Sequence, residues 1–356
     1  MGFVVLESGE VFPGKWLGGE PRAGEVVFNT SHTGYEEIAT DPSYLSQIMV
    51  MSAPMQGNYG VDPAVWESKR VWIEGFVCLQ MQKSPRDSSW RELLQSNKVP
   101  MLEGVDTREL ILCLRSKGTP WGALVPSESE SEAKALAIDL IAKAKVKDPD
   151  WVYLASRKEP EVRKGLLVGP RVAVLDFGTK ENIFRSLSHL CSEVHILNSR
   201  TKASAILKLK PDFLMLTNGP GDPAEVKGAP ETVRELIGQI PIFGICMGHQ
   251  ILALALGAKT YKLRYGHRGS NHPIRDTILD KVYMSAQNHG YAVDEKTLPP
   301  EVKVTQTNIN DFTVAGLCWP EKKLMSVQFH PESCPGPHDA SPLFETFIKR
   351  FVYGSD

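Results

Sequence analysis

The sequence predicts an α/β protein in two parts: a smaller, β-rich α+β domain over residues 1–150, a linker at 151–169, and a second domain over 170–356 with a mostly parallel sheet flanked by helices. Three observations carry this. A chain of 356 residues is too long for one ordinary domain and short for three, since single cores are most readily built from roughly 100–200 residues. Short alternating apolar runs fill the first part. In the second part, β-branched apolar runs alternate with amphipathic helical stretches.

In the first part FVVLE, EVVFN and QIMVM read as strands, separated at short intervals by Gly, Pro and Asn. Helices are few. Asp106 is placed to cap TRELILCLRSKG, with Glu109 three residues on, and Ser129 with Glu132 leads SEAKALAIDLIAKAK. These helices are expected to cover a small sheet. From 148 to 170 the periodicity lapses, and Lys, Glu, Arg, Pro and Gly gather as they do in connectors.

The rhythm then becomes regular: strand RVAVLDF, helix KENIFRSLSHL, strand EVHILN, helix KASAILKLK, strand DFLMLTN, helix PETVRELIGQ, strand PIFGI, helix GHQILALALG and, later, strand LMSVQF. Such alternation marks a parallel sheet covered on both faces, and such sheets place their sites at the carboxyl ends of the strands.

Composition narrows the functional classes. A hydrophobic share of 42% with 23% charged residues suits a globular protein in water, and a net charge of -2 offers no electrostatic reason to bind nucleic acid or an anionic membrane. Cys78, Cys113, Cys191, Cys246, Cys318 and Cys334 are scattered without a CxxC pair, against both a disulfide scaffold and a zinc ribbon. The opening MGFVVLESGEVF lacks the layout of a signal peptide, and Leu6 breaks a myristoylation signal. No run reaches the roughly 20 apolar residues of a membrane helix. A reducing cytoplasm is the expected location.

Three strand-end segments carry chemistry. In PIFGICMGHQILALALG an apolar strand enters Cys246 between Gly244 and Gly248, and a helix follows at once. This is the layout of a nucleophile elbow with sulfur in place of hydroxyl, the nucleophile expected exposed at its tip, where the positive end of the helix dipole favours a thiolate. A buried core cysteine is the competing reading of this segment alone. Strand LMSVQF delivers His330, Pro331 and Glu332. A carboxylate beside an imidazole sets its tautomer and stabilises imidazolium, and together with a cysteine elbow the pair outweighs a mere surface contact. TNGPGDP, residues 217–223, is a rigid turn whose backbone donors suit an oxyanion or a substrate carboxylate, although alone it reads as a turn. Neither GxGxxG nor a phosphate loop occurs, so no ATP site is expected here. The segments around His289 (AQNHGYAVDE) and around His267 and His272 (YGHRGSNHPI) read as polar, Gly-rich loops serving substrate contacts and turns. No ligand spacing there suggests a metal.

FGICMGHQ, HPE, NGPGDP and QNHG, taken together, resemble the class I, triad-type glutamine amidotransferases. GEVVFNTSHTGYEEIATDPSY and QGNYG in the first part, with GHRGSNHPI, QNHGYAVDE and HPESCPGPHDASPLF in the second, extend the resemblance to the small-subunit family of carbamoyl-phosphate synthetase. The β-rich first domain is not shared with GMP or anthranilate synthetases.

The resemblance implies that the second domain is a class I glutamine amidotransferase domain and the first a small-subunit domain that docks the partner. It makes Cys246 the nucleophile, His330 the proton carrier and Glu332 its orienting group, with glutamine contacts at Ser43, Gly219, Gly221, Met247, Gln250, Asn288, Gly290 and Tyr291. It implies no cofactor or metal in this chain. ATP and Mg belong to a large-subunit partner, in a heterodimer or higher oligomer, which receives ammonia through a channel and makes carbamoyl phosphate for arginine and pyrimidine synthesis. Small departures from the family pattern are Met247 for Leu, Ser270 for Gly and Tyr291 for Phe. Rival readings are an amidotransferase serving another synthetase, a non-catalytic docking module with the same fold, and a generic thiol hydrolase or peptidase.

Overall fold

The computed structural model describes residues 1–85, 89–145, 150–166 and 168–355. The chain divides into two compact units, Met1–Asp148 and Pro149–Asp356.

In the first unit, the strands do more than form the expected small sheet. They close into a barrel in the order Gly2–Leu6, Val11–Gly18, Met101–Glu103, Gly75–Val77, Gln47–Met51, Arg22–Asn29 and Trp121–Pro126. Closure removes the unpaired edges that an open sheet would expose. Val4, Val26, Ile48, Val50 and Leu124 are fully buried in this unit. Outside, the helix Glu130–Lys145 lays Ala133, Ala137 and Ile141 on Val5, Ala123 and Val125. Both cap expectations hold in geometry: Asp106 accepts from the Glu109 N–H at 2.8 Å, and Ser129 Oγ accepts from the Glu132 N–H at 3.3 Å.

The second unit is built on one ten-stranded sheet, ordered Glu161–Lys164, Glu193–Asn198, Arg171–Asp176, Phe213–Leu216, Ile242–Ile245, Leu324–Val327, Val314–Trp319, Lys303–Asn308, Thr260–Asp276 and Lys281–Val293. The stretch from Glu193–Asn198 to Leu324–Val327 is parallel throughout. Antiparallel strands extend it on both sides. Alternate residues serve opposite faces. Val172 and Val174 pack with Ile183, Phe184, Phe344 and Phe347, while Ala173 and Leu175 pack with Ala203, Ile206, Val233 and Ile251. Helices therefore cover both faces, as a parallel sheet requires.

Two sequence expectations change. The stretch 151–169 holds a helix, Trp151–Ala155, and the edge strand Glu161–Lys164. EVRK alternates partly buried with exposed residues, so a polar edge strand reads like a connector; residues 146–149 and 167 lie outside the described residues. The His-rich segments are corrected more sharply. YGHRGSNHPI and most of AQNHGYAVDE are not loops but paired strands, Thr260–Asp276 and Lys281–Val293. Register shifts between Lys262 and His267 and between Gly269 and His272 interrupt their pairing. Those bulges break the two-residue alternation by which a strand is read. Among the described residues no helix is long and apolar enough to cross a membrane.

Candidate active site

Ile242–Ile245 is a fully buried strand that ends at Cys246. Cys246 adopts φ 54° and ψ -103° and caps the helix Met247–Ala255. A non-glycine residue at positive φ costs on the order of 1–3 kcal/mol and persists only where its surroundings impose it. Here the Cys246 N–H donates to Val327 O at 2.8 Å, and the Gly248 N–H donates to Thr217 O at 2.9 Å. The flanking glycines serve close approach. A Cβ on Gly248 would stand 2.2 Å from Leu216 O, and one on Gly244 would stand 2.8 Å from the Gly248 carbonyl carbon. The strain therefore sits on the cysteine itself. Exposure of the thiol, expected from the elbow layout, is corrected: Cys246 is only 2% exposed. Residues from neighbouring strands cover it, and its Sγ lies 3.5 Å from Asn288 O.

His330 follows the strand Leu324–Val327 and is tied by its N–H to Ala286 O at 2.9 Å. Its Nδ1 donates to Glu332 Oε1 at 2.6 Å, with both side chains buried. Nε2 is buried without a well-formed hydrogen bond, and the Cys246 side chain is near enough for its hydrogen bonding and charge to act on the imidazole. Burial opposes protonation of His330, but the Glu332 charge and the contacts with Cys246 and Glu332 outweigh it, so the imidazole is held well above the ordinary histidine range. For Glu332, burial favours the acid, but the charges of Lys180 and His330 prevail and hold it well below the usual carboxylate range. The site holds an imidazole with raised proton affinity over an ionised carboxylate, beside a thiol in a strained turn. That combination supports proton shuttling to and from sulfur.

Lys180 was not singled out in the sequence. Its Nζ lies 3.2 Å from Glu332 Oε1, with only 4% of its side chain exposed, and it also donates to Ser333 O. Asn182 Nδ2 donates to Glu332 O. The Lys180 N–H donates to Asn218 Oδ1 at 3.0 Å. A buried lysine is rare unless paired. The available signal was its place in FGTKEN, immediately past a strand at the same carboxyl edge, but a lysine opening a helix ordinarily reads as solvated surface.

TNGPGDP is held against the neighbouring strand end. Thr217 Oγ1 accepts from the Phe177 N–H at 3.0 Å, and Asn218 Nδ2 donates to Gly178 O at 3.0 Å. A Cβ on Gly219 would meet Phe177 O at 2.2 Å, and Gly221 has φ 91°. Gln250, on the elbow helix, donates from Nε2 to Tyr291 O at 2.8 Å and to Gln328 Oε1 at 3.0 Å. Met247, Gln250 and the strand bearing Asn288, Gly290 and Tyr291 thus adjoin Cys246. Ser43 belongs to the first unit. It lies buried in the turn Pro42–Tyr44, with its N–H donating to Asp41 Oδ1 at 2.8 Å.

Comparison with known proteins decides the family. A Symbiobacterium thermophilum protein named carbamoyl phosphate synthase small chain is 44% identical, over 96% of this chain and 96% of its own. The chain belongs to the carbamoyl-phosphate synthase small chain family. The Methanocaldococcus jannaschii small chain is 42% identical, covering 97% of this chain and 98% of its own. A Halalkalibacterium halodurans protein named carbamoyl phosphate synthase pyrimidine-specific small chain is 42% identical, covering 97% and 96%. The family profile "Carbamoyl-phosphate synthase small chain, CPSase domain" matches residues 4–124, and "Glutamine amidotransferase class-I" matches residues 173–350. The first match spans most of the barrel unit, the second most of the sheet unit. A small chain with its CPSase domain in place is set apart from amidotransferases of other synthetases.

Proposed function

We propose that this chain hydrolyses L-glutamine at Cys246 and hands the ammonia to a carbamoyl-phosphate synthase large chain. The observation that carries the reading is the strained, positive-φ cysteine beside an imidazole whose other nitrogen is bonded to Glu332 at 2.6 Å. His330 takes the thiol proton, and the Cys246 thiolate attacks the side-chain amide carbon of glutamine. The backbone N–H groups of Met247 and Gly219 stabilise the oxyanion. His330 returns its proton to the departing nitrogen, which leaves as ammonia, and a glutamyl thioester remains on Cys246. Water, activated by His330, then cleaves the thioester to release glutamate and restore the thiol. Glu332 orients His330 and balances its charge. Gly221, Gln250, Asn288, Gly290 and Tyr291, all of the second unit, complete the glutamine contacts.

In this reading residues 1–150 dock the partner and residues 170–356 form the glutaminase, with no cofactor or metal of their own. The large chain binds ATP, Mg and bicarbonate, receives ammonia through a channel in a cytoplasmic heterodimer or higher oligomer, and makes carbamoyl phosphate for arginine and pyrimidine synthesis. The test is Cys246→Ser in the assembled complex. Glutamine-dependent synthesis should disappear while synthesis from ammonia persists; loss of both would make Cys246 a structural residue instead.

A further inference from the structure

Gln250 stands one helical turn beyond Cys246 and is buried, with its N–H donating to Cys246 O at 3.2 Å. Two contacts hold its side-chain amide: Nε2 lies 2.8 Å from Tyr291 O and 3.0 Å from Gln328 Oε1. Gln328 follows the strand Leu324–Val327 and stands two residues before His330. Its N–H donates to Ala315 O at 2.8 Å, and its side chain is buried as well.

The orientation of both amides follows from these partners. A backbone carbonyl oxygen only accepts, so the nitrogen of the Gln250 amide must face Tyr291. Tyr291 O takes that bond beside another, from His289 Nδ1 at 2.7 Å, because a carbonyl carries two lone pairs. The second hydrogen of Gln250 Nε2 is left for Gln328, and only the oxygen of that amide can receive it. Two hydrogens meet two acceptors. Turning the Gln250 amide over would set its oxygen against Tyr291 O and Gln328 Oε1. What the amide keeps for a ligand is therefore its own oxygen, an acceptor.

Stability alone does not explain an amide at position 328. Gln328 Nε2 is buried with no hydrogen-bond partner among the described residues, and an unpaired buried donor is unfavourable. A methionine would fill similar space without that penalty. The accepting oxygen is what the glutamine side chain supplies.

We propose, on the glutaminase reading above, that Gln328 is a positioning residue for the substrate: it fixes the Gln250 amide with its oxygen toward the α-ammonium group of glutamine. Glutamine has two donor groups, the side-chain amide that reacts at the thiol and the ammonium at its other end. Gln250 is bound to Tyr291, three residues along its strand from Asn288, whose carbonyl lies 3.5 Å from Cys246 Sγ. Its amide thus belongs to the far end of a glutamine whose side-chain carbon meets the sulfur. Selectivity for a free α-amine follows, since an analogue without the ammonium leaves the fixed oxygen unmatched.

The experiment compares wild type, Gln328→Met, Gln328→Glu and Cys246→Ser as complexes with the large chain. Glutamine KM and kcat are measured, together with the inhibition constant of glutaramate, which is glutamine without its α-amino group. Ammonia-dependent synthesis, which bypasses the site, reports on folding and assembly. Gln328→Met releases one Gln250 hydrogen and lets that amide turn. Glutamine KM should rise about tenfold, the loss expected for a hydrogen bond to a charged group, with a smaller change in kcat. The glutaramate constant should stay within about twofold of wild type, because glutaramate never used that bond. Gln328→Glu keeps an accepting oxygen and should hold glutamine KM within about threefold of wild type. Wild-type glutamine KM in Gln328→Met overturns the proposal, and so does a tenfold rise in Gln328→Glu. A parallel rise of glutamine KM and the glutaramate constant, or a fall in ammonia-dependent synthesis in both Gln328 variants, also overturns it by making Gln328 a support of the fold. Glutamine-dependent synthesis surviving in Cys246→Ser would instead sink the glutaminase reading itself.

Discussion

Cys246, His330 and Glu332 show how much one residue's chemistry owes to its neighbours. Burial alone would strip His330 of its proton; the adjacent carboxylate reverses this, and Lys180 keeps that carboxylate ionised. Glu332→Gln removes the strongest of the influences favouring imidazolium and leaves burial unopposed by that charge. Because a raised imidazole stays protonated to higher pH, removing the cause should move the basic limb of the glutaminase profile to lower pH. A fall in kcat/KM of about 100-fold at neutral pH should accompany it. A profile that keeps its basic limb would show that Glu332 does not govern His330. Cys246, His330 and Glu332 were legible because each stands in a compact motif at the end of an apolar strand. Lys180 and Gln328 were not, since their meaning depends on partners distant in sequence; Gln328 meets Gln250 across 78 positions. A lone Gln before Phe329 carries no mark of that pairing.

At the level of elements, the elbow is a packing problem solved by absent side chains. Gly248→Ala would drive a methyl against the Leu216 carbonyl, a backbone atom with little freedom to yield. Thermal or denaturant unfolding should show a loss of about 3 kcal/mol, the upper range for overpacking. Gly257→Ala supplies the contrast. Nothing lies within 4 Å of its added carbon, and only its φ of 90° is unfavourable, so a loss of about 1 kcal/mol is expected. Equal losses would mean that close approach is not what Gly248 provides. The regular βα rhythm after residue 170 made the parallel strands readable. The hairpin of Thr260–Asp276 and Lys281–Val293 was misread because its bulges suppress alternation while adding the Gly and Asn that ordinarily mark loops. Edge strand Glu161–Lys164 was misread because half its residues face solvent.

Over the whole molecule, the chain unites a barrel matching the small-chain CPSase domain with a sheet matching a class I amidotransferase. A chain without a phosphate loop should make no carbamoyl phosphate alone, and should hydrolyse glutamine poorly until its partner binds. Assaying the purified chain with glutamine, ATP and bicarbonate, with and without the large chain, checks both points; synthesis by the chain alone would contradict them. By itself the sequence determined the α/β class, the placing of Cys246 at a strand end and the family, because strand periodicity and contiguous motifs are local properties of the chain. Only the tertiary structure decided that the thiol is buried, that Lys180 neutralises Glu332, that the first unit's strands close into a barrel, and that Gln328 meets the Gln250 amide. Each of these depends on strand register and on side chains brought together from distant positions, which no local pattern encodes.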